Sequence, residues 1–305
     1  MESDHLSEVF DLVEVRGVVS GGFAVRGPWF TEADVSEAMK FTAMVAGRAR
    51  LWADGVDGPI ELEAGDVAIM NARSWLRAEG GGGDGPRRRV EPDPRFADAG
   101  PVDRSVDDVI IGGRIELNAA GQALLAHALP PVAHVRASAA TAGTVQDLLD
   151  RMFDEGARGR AGSAFALRQY GQLLLLEAVR SYVDQAELPP GWLRVLTDER
   201  LGPALSLMHA DPGGPWGLDA LAKAAAMSRT SFAERFRAVA GVPPLTYLHR
   251  WRMLLAQKEL RDGDARVGAL ASRLGYGSES AFSTAFKREV GESPLRYRLR
   301  HRAAV

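Results

Sequence analysis

Thr230, Glu234 and Arg237 recur fifty residues later as Ser280, Thr284 and Lys287. Short polar groups and a cation at positions i, i+4 and i+7 share one face of an α-helix. Such a face suits the edges of base pairs. Hydroxyls pair with donors or acceptors, a carboxylate accepts from cytosine N4, and Arg or Lys reaches guanine or phosphate. With Phe232 at 0° and a step of about 100° per residue, Phe236 falls near about 40° and Val239 near about −20°, which is a buried stripe. Thr230, Arg237 and Glu234 fall near about 160°, 140° and 200°, and their counterparts take the same angles relative to Phe282. For either segment alone a solvated helix face is the plain alternative, but two faces in register across a repeat favour one shared task.

Other chemistry is poorly supplied. The chain has no cysteine, which removes disulfides, thiolate nucleophiles and thiolate metal sites and fits a reducing compartment. No histidine lies between His5 and His127. The expectation is therefore no catalytic residue, no metal and no cofactor.

The elements that position the two faces are themselves duplicated. Leu221-Ala222 and Ala225 to Ser228 recur as Leu270-Ala271 and Leu274 to Gly277. Phe232, Phe236, Gly241, Pro244, Leu245 and Tyr247 recur at Phe282, Phe286, Gly291, Pro294, Leu295 and Tyr297. The offset changes from 49 to 50 where a turn would fall, as in a duplicated helical unit. Asp219 to Ala226 predicts an alanine-rich helix, and Arg229 to Val239 a second one capped by Ser228. Between the copies, Leu245 to Leu260 predicts one continuous helix with Leu248, Trp251 and Leu255 on one stripe and Met253 and Leu260 on another. That helix can pack on both copies and fix the roughly 34 Å that separates successive major-groove segments on one side of DNA.

Charge divides along the same line. Residues 195–305 hold 17 basic and 11 acidic residues, net +6, leaving 20 and 29, net −9, for residues 1–194. A basic module joined to an acidic one fits a nucleic-acid reader whose other half avoids the polyanion.

The acidic half reads as an antiparallel β-barrel or jelly roll. Short alternating runs at Lys40 to Val45, Arg48 to Ala53, Ile60 to Leu62 and Val67 to Met70 are separated by turn compositions. Phe41, Met44, Trp52, Met70 and Trp75 either line an apolar effector pocket, with Arg50, Arg73 or Arg77 orienting an anion, or are ordinary core and rim residues. Glu79 to Arg104, rich in Gly, Pro and charge, reads as a loop. A closing strand spans Val109 to Leu117, and helices follow over Ala119 to Leu129, Thr144 to Phe153 and Phe165 to Val183. The wide apolar stripes of the last two serve either a dimer interface or one intramolecular layer. Leu188-Pro189-Pro190-Gly191 breaks the helix and marks a linker.

Met227-Ser228-Arg229 through Phe236, Gly241 to Pro244, Tyr247-Leu248, Trp251-Arg252-Met253, Leu274-Gly275-Tyr276, Ser278 to Phe282 and Phe286-Lys287-Arg288 closely resemble the AraC/XylS regulators of bacterial transcription. Pro130-Pro131-Val132 and His209 to Pro212 resemble the subgroup with a cupin-type sensor. The resemblance implies an α+β chain. A cupin-like effector-sensing barrel would span 1–137 and a helical dimerisation or linker layer 138–190. A DNA-binding domain would span 191–305, with helix-turn-helix units at about 218–240 and 267–291 joined by a helix over about 244–261. It implies a DNA-binding set of Ser228, Arg229, Thr230, Ala233, Glu234, Arg237, Ser278, Glu279, Ser280, Ser283, Thr284 and Lys287. The implied partners are operator or promoter double-stranded DNA, a second copy of the chain, a small-molecule effector and RNA polymerase, in a cytoplasmic, nucleoid-associated regulator such as an activator.

Two other readings compete. A non-metal cupin-type enzyme or ligand-binding protein with an appended DNA-binding module is the alternative, and the barrel's missing histidines argue against metal-dependent chemistry of that class. Methyl transfer from damaged DNA needs an acceptor cysteine that is absent. The N-terminus lacks the basic and apolar regions of a signal peptide, and no apolar run approaches the roughly 20 residues of a membrane span, so no membrane partner is expected.

Overall fold

Runs of alternating apolar residues between glycine turns must pair to satisfy their backbone groups. In the computed structural model of the chain they do so as two five-stranded sheets. Residues 4–13, 15–93, 102–137, 142–185 and 187–302 are described. The chain divides into two compact units, Val15–Glu187 and Met1–Glu14 together with Leu188–Val305.

In the first unit the strands are β1 (Val15–Val25), β2 (Trp29–Asp34), β3 (Met39–Ala46), β4 (Arg48–Ala53), β5 (Ile60–Glu63), β6 (Val67–Asn71), β7 (Trp75–Gly80), β8 (Arg88–Arg89), β9 (Asp108–Leu117) and β10 (Val132–Val135). The sheet orders are β1-β9-β3-β6-β10 and β5-β4-β7-β2-β8. Phe23, Trp29, Met44, Leu51, Leu62, Met70, Leu76 and Ile110 fill the interior. Gly47, at φ +82°, turns β3 into β4 so closely over Asp108 that a Cβ there would strike the carboxylate. That carboxylate accepts from the fully buried Trp29 Nε1 at 2.7 Å and from the Arg48 N–H at 3.2 Å, so the indole is buried with its polar atom satisfied.

The four expected strands from Lys40 to Met70 and the expected closing strand over Val109 to Leu117 are present, and β1, β2, β7, β8 and β10 are additional. Glu79 to Arg104 is more ordered than a loop. Glu79 lies in β7, Arg88–Arg89 pairs in parallel with β2, and Asp93 bridges Gly22, while residues 94–101 of that stretch lie outside the described residues. Helices α2 (Ala119–Ala128), α3 (Ala142–Arg158) and α4 (Ser163–Gln185) follow, with α4 packing on α3, β1 and β10. The stripe Val145, Leu148, Leu149 and Met152 is buried. On α4, Leu174 and Val179 are buried, but Phe165 is 62% and Leu173 48% exposed.

The second unit is helical: α1 (His5–Phe10), α5 (Trp192–Leu196), α6 (Gly202–Ala210), α7 (Leu218–Ala224), α8 (Arg229–Ala240), α9 (Pro244–Asp262), α10 (Val267–Arg273), α11 (Glu279–Val290) and α12 (Pro294–Arg302). It holds two cores. Leu205 and Met208 of α6 bury with Phe232 and Phe236, and Met253 and Leu260 of α9 bury with Phe282 and Phe286. Thus α6 does for the first copy what the second half of α9 does for the second. Helix α1 belongs to this unit and not to the barrel expected over 1–137, because Glu8 bonds His209 at 2.7 Å. Burial lowers the His209 imidazole to about 4, against the opposing pull of Glu8.

Candidate nucleic-acid interface

Each copy is built around three rings. Phe232, Phe236 and Tyr247 meet at centroid distances of 5.7 and 5.5 Å, and Phe282, Phe286 and Tyr297 at 5.8 and 5.6 Å. These rings hold α8 and α11 by their apolar stripes and turn the opposite faces outward. The helices begin alike. The Ser231 N–H donates to Ser228 Oγ at 3.2 Å, and the Ala281 N–H donates to Ser278 Oγ at 3.1 Å, each satisfying one orphan donor of the first turn. They also end alike, at Gly241 and Gly291 in the left-handed region with φ +73° and +88°.

The expected recognition residues come together on these faces. Thr230, Glu234 and Arg237 are exposed on α8, as are Ser280, Thr284 and Lys287 on α11, and Ala233 and Ser283 are half-buried at the same register. Neither Arg237 nor Lys287 is ion-paired among the described residues. Arg235, two residues from Arg237, is committed instead to Asp198 through a two-armed ion pair at 3.2 and 2.8 Å. Ser228 and Ser278 are exposed, but each spends its acceptor on the cap. Arg229 lies 3.5 Å from Asp219 of α7, and the Glu279 carboxylate lies against Gly268 of α10, where a Cβ would approach it to 2.8 Å. These two positions brace the first helix of each pair as well as bordering the face.

One part of the site was not expected. Arg252 of α9 donates from Nε to the Pro212 carbonyl at 2.5 Å and from Nη2 to the Gly214 carbonyl at 3.0 Å. The turn it holds abuts the second copy: a Cβ on Gly213 would enter the Arg273 carbonyl, and one on Gly275 the Gly213 carbonyl. The copies therefore touch backbone to backbone beneath one guanidinium. The only sequence signal was a cation between Trp251 and Met253 in a helix that is apolar on two faces.

The effector residues expected in the barrel are not gathered round one cavity. Met44 and Met70 are in the closed interior, and Phe41 is buried on the strand face opposite Lys40 and Thr42. Trp52 lies under Arg50 at 5.5 Å, and Trp75 is 41% exposed. Arg50 pairs with Glu79, Arg77 with Glu32 and Glu79, and Arg73 with the Asn71 and Asp54 carbonyls. An open cleft in the barrel is lined instead by Phe23, Thr31, Lys40, Thr42, Leu76 and Ile110, among others. Lys40 pairs with no carboxylate among the described residues.

A two-sheet barrel with a helical layer, joined in one chain to a tandem helix-turn-helix module, is the plan of a two-domain DNA-binding regulator. Residues 4–184 match the Cupin family and residues 221–300 the Helix-turn-helix domain family. A putative AraC-like transcription regulator of Streptomyces lividans is 36% identical over 97% of this chain and 98% of its own. The HTH-type transcriptional regulator AlkR of Acinetobacter baylyi is 39% identical over 126 residues, 41% of each chain. The solved DNA-binding domain of AdpA in complex with a target DNA is 34% identical, with a TM-score of 0.34, covering 35% of this chain and 96% of that one. The chain belongs to the AraC-type DNA-binding transcription regulators with a cupin N-terminal domain. No helix among the described residues is long and apolar enough to cross a membrane.

Proposed function

We propose that α8 and α11 enter two successive major-groove segments on one side of a DNA duplex. Thr230, Ala233, Glu234 and Arg237 face bases in the first segment, and Ser280, Ser283, Thr284 and Lys287 in the second. The observation that carries this reading is the identical exposure pattern of the two helices over eleven positions from the cap, Ser228 to Ala238 and Ser278 to Arg288. Glu234 repels phosphate and is aimed at a cytosine amino group, while Ala233 offers methyl contact alone. Arg229 borders the phosphates, Ser228 and Ser278 cap the helices beside them, and Glu279, like Glu234, faces a base. With operator duplexes taken from a genome-wide map of bound sites, Arg237→Ala and Thr284→Ala each weaken binding by about 1–3 kcal/mol with unchanged far-UV circular dichroism. Unchanged affinity in both removes the assigned face.

The barrel acts as a sensor and not as an enzyme. Its cleft, apolar below and carrying Thr31, Thr42 and the unpaired Lys40, suits a small apolar acid. In a thermal-shift screen of small carboxylic acids, Lys40→Ala removes the stabilisation that a binding acid gives the wild type. A screen without a hit, or a shift retained in the variant, overturns this assignment. The exposed Phe165 and Leu173 on α4 support a homodimer formed through the helical layer. The protein works in the cytoplasm at the nucleoid, with RNA polymerase as the partner that reads out its occupancy of a promoter.

A further inference from the structure

His5 and Glu8 stand one turn apart on α1, and His209 lies in the last turn of α6. Both imidazoles aim Nδ1 at one carboxylate oxygen: His5 Nδ1 is 3.2 Å and His209 Nδ1 2.7 Å from Glu8 Oε2. One ligand-type atom from each residue lies within 4.8 Å of the other two. A tetrahedral zinc ion with bonds of about 2.0–2.1 Å sets its ligand atoms roughly 3.3 Å apart, so the trio needs only a small adjustment to receive one.

The surroundings of the rings strengthen the case. Histidines that bind metal through one nitrogen almost always hold an oxygen partner at the other. Here His5 Nε2 is 3.2 Å from Ser206 Oγ, and His209 Nε2 is 2.9 Å from the buried Tyr247 hydroxyl. The Ser206 hydroxyl in turn reaches the Gly202 carbonyl at 3.1 Å. The His209 ring is also fixed face to face on Trp251, with centroids 3.8 Å apart and planes 6° from parallel. Glu8 is the outermost of the three, its side chain 35% exposed, which leaves a coordination position open to water or a further ligand.

We propose that His5, Glu8 and His209 form a binding site for a divalent transition-metal ion of the zinc type, outside both the barrel and the DNA-reading face. Two imidazoles and one carboxylate select zinc and its neighbours over magnesium and calcium, which take oxygen ligands. On binding, each ring gives its Nδ1 lone pair to the ion and carries its N–H on Nε2, where Ser206 Oγ and the Tyr247 oxygen accept it. The Glu8 carboxylate supplies the third ligand, and no redox change is involved. The ion fastens α1 to α6, and through Tyr247 and Trp251 to α9.

The test uses the full chain, stripped with a chelator and titrated with zinc chloride by calorimetry. One zinc per chain is expected, and cobalt(II) in its place gives visible d–d absorption. Because His209 is buried against Trp251, the variants are placed at the periphery. His5→Gln and Glu8→Gln each weaken zinc binding at least about tenfold, and the zinc-dependent rise in Tm seen for the wild type disappears in both. Less than one zinc per chain, zinc binding unchanged in both variants, or equal uptake of magnesium overturns the proposal and leaves the trio as a hydrogen-bonded clamp.

Discussion

Ser228 and Ser278 close the first turns of α8 and α11 with the same oxygen that a DNA contact would use. This separates stability from recognition at the residue scale. Ser278→Ala removes the acceptor for the Ala281 N–H and costs about 1 kcal/mol of unfolding free energy in the C-terminal unit, measured by urea denaturation. A loss of operator affinity with no loss of stability would instead make Ser278 a contact residue. The outward set was legible because a helix has one period, and placing Phe232 in a core fixes where Thr230 and Arg237 point. The roles of neighbouring charges were not legible. Arg235 and Arg237 read alike in sequence, and only the position of Asp198, 37 residues before Arg235, commits one of them. Likewise Arg50, Arg73 and Arg77 looked available to an anion until the sheet placed Glu79, Glu32 and Asp54 beside them.

At the scale of elements, each helix-turn-helix turns through one left-handed residue, Ala226 at φ +51° in the first copy and Gly275 at φ +78° in the second. Sequence alignment of the copies pairs these two positions but does not show that they differ in their surroundings. Only at Gly275 would a Cβ enter a neighbouring carbonyl, that of Gly213. Gly275→Ala therefore lowers stability by more than the about 1 kcal/mol of a left-handed alanine alone and weakens operator binding, because it pushes the two copies apart. Ala226→Gly relieves the same backbone conformation and raises stability by about 0.5–1 kcal/mol. Equal and opposite shifts of one size in the two variants would show that the Gly213 contact carries nothing. Helix α9 was legible by its two stripes. Helix α6 was not, since nothing in the repeat announces an element that the second copy obtains from α9. In the barrel the runs between the Ala46-Gly47 and Glu63 to Asp66 turns were legible, whereas β2 and β7 were obscured by the small or polar inward residues Thr31, Ala33 and Ala78 and by the exposed Trp75, which weaken the apolar alternation.

For the whole molecule, a basic DNA-binding half and an acidic barrel half were both visible in the uneven charge of the chain. How many chains act together was not, because a wide apolar stripe on α4 fits inward packing and self-association equally. The structure spends Leu174 and Val179 inward and leaves Phe165 and Leu173 outside. In sedimentation velocity, Leu173→Asp shifts a wild-type dimer to monomer; an unchanged species assigns those side chains no part in assembly. The account rests most heavily on one chain gripping two groove segments at once. Methylation-interference footprinting of the isolated operator complex measures that directly. It should show two clusters of guanines whose N7 methylation in the major groove blocks binding, on one side of the duplex and about one helical turn or 10–10.5 base pairs apart, with Arg237→Ala erasing one and Thr284→Ala weakening the other. A single cluster, or two clusters that both variants leave intact, would contradict the two-helix grip.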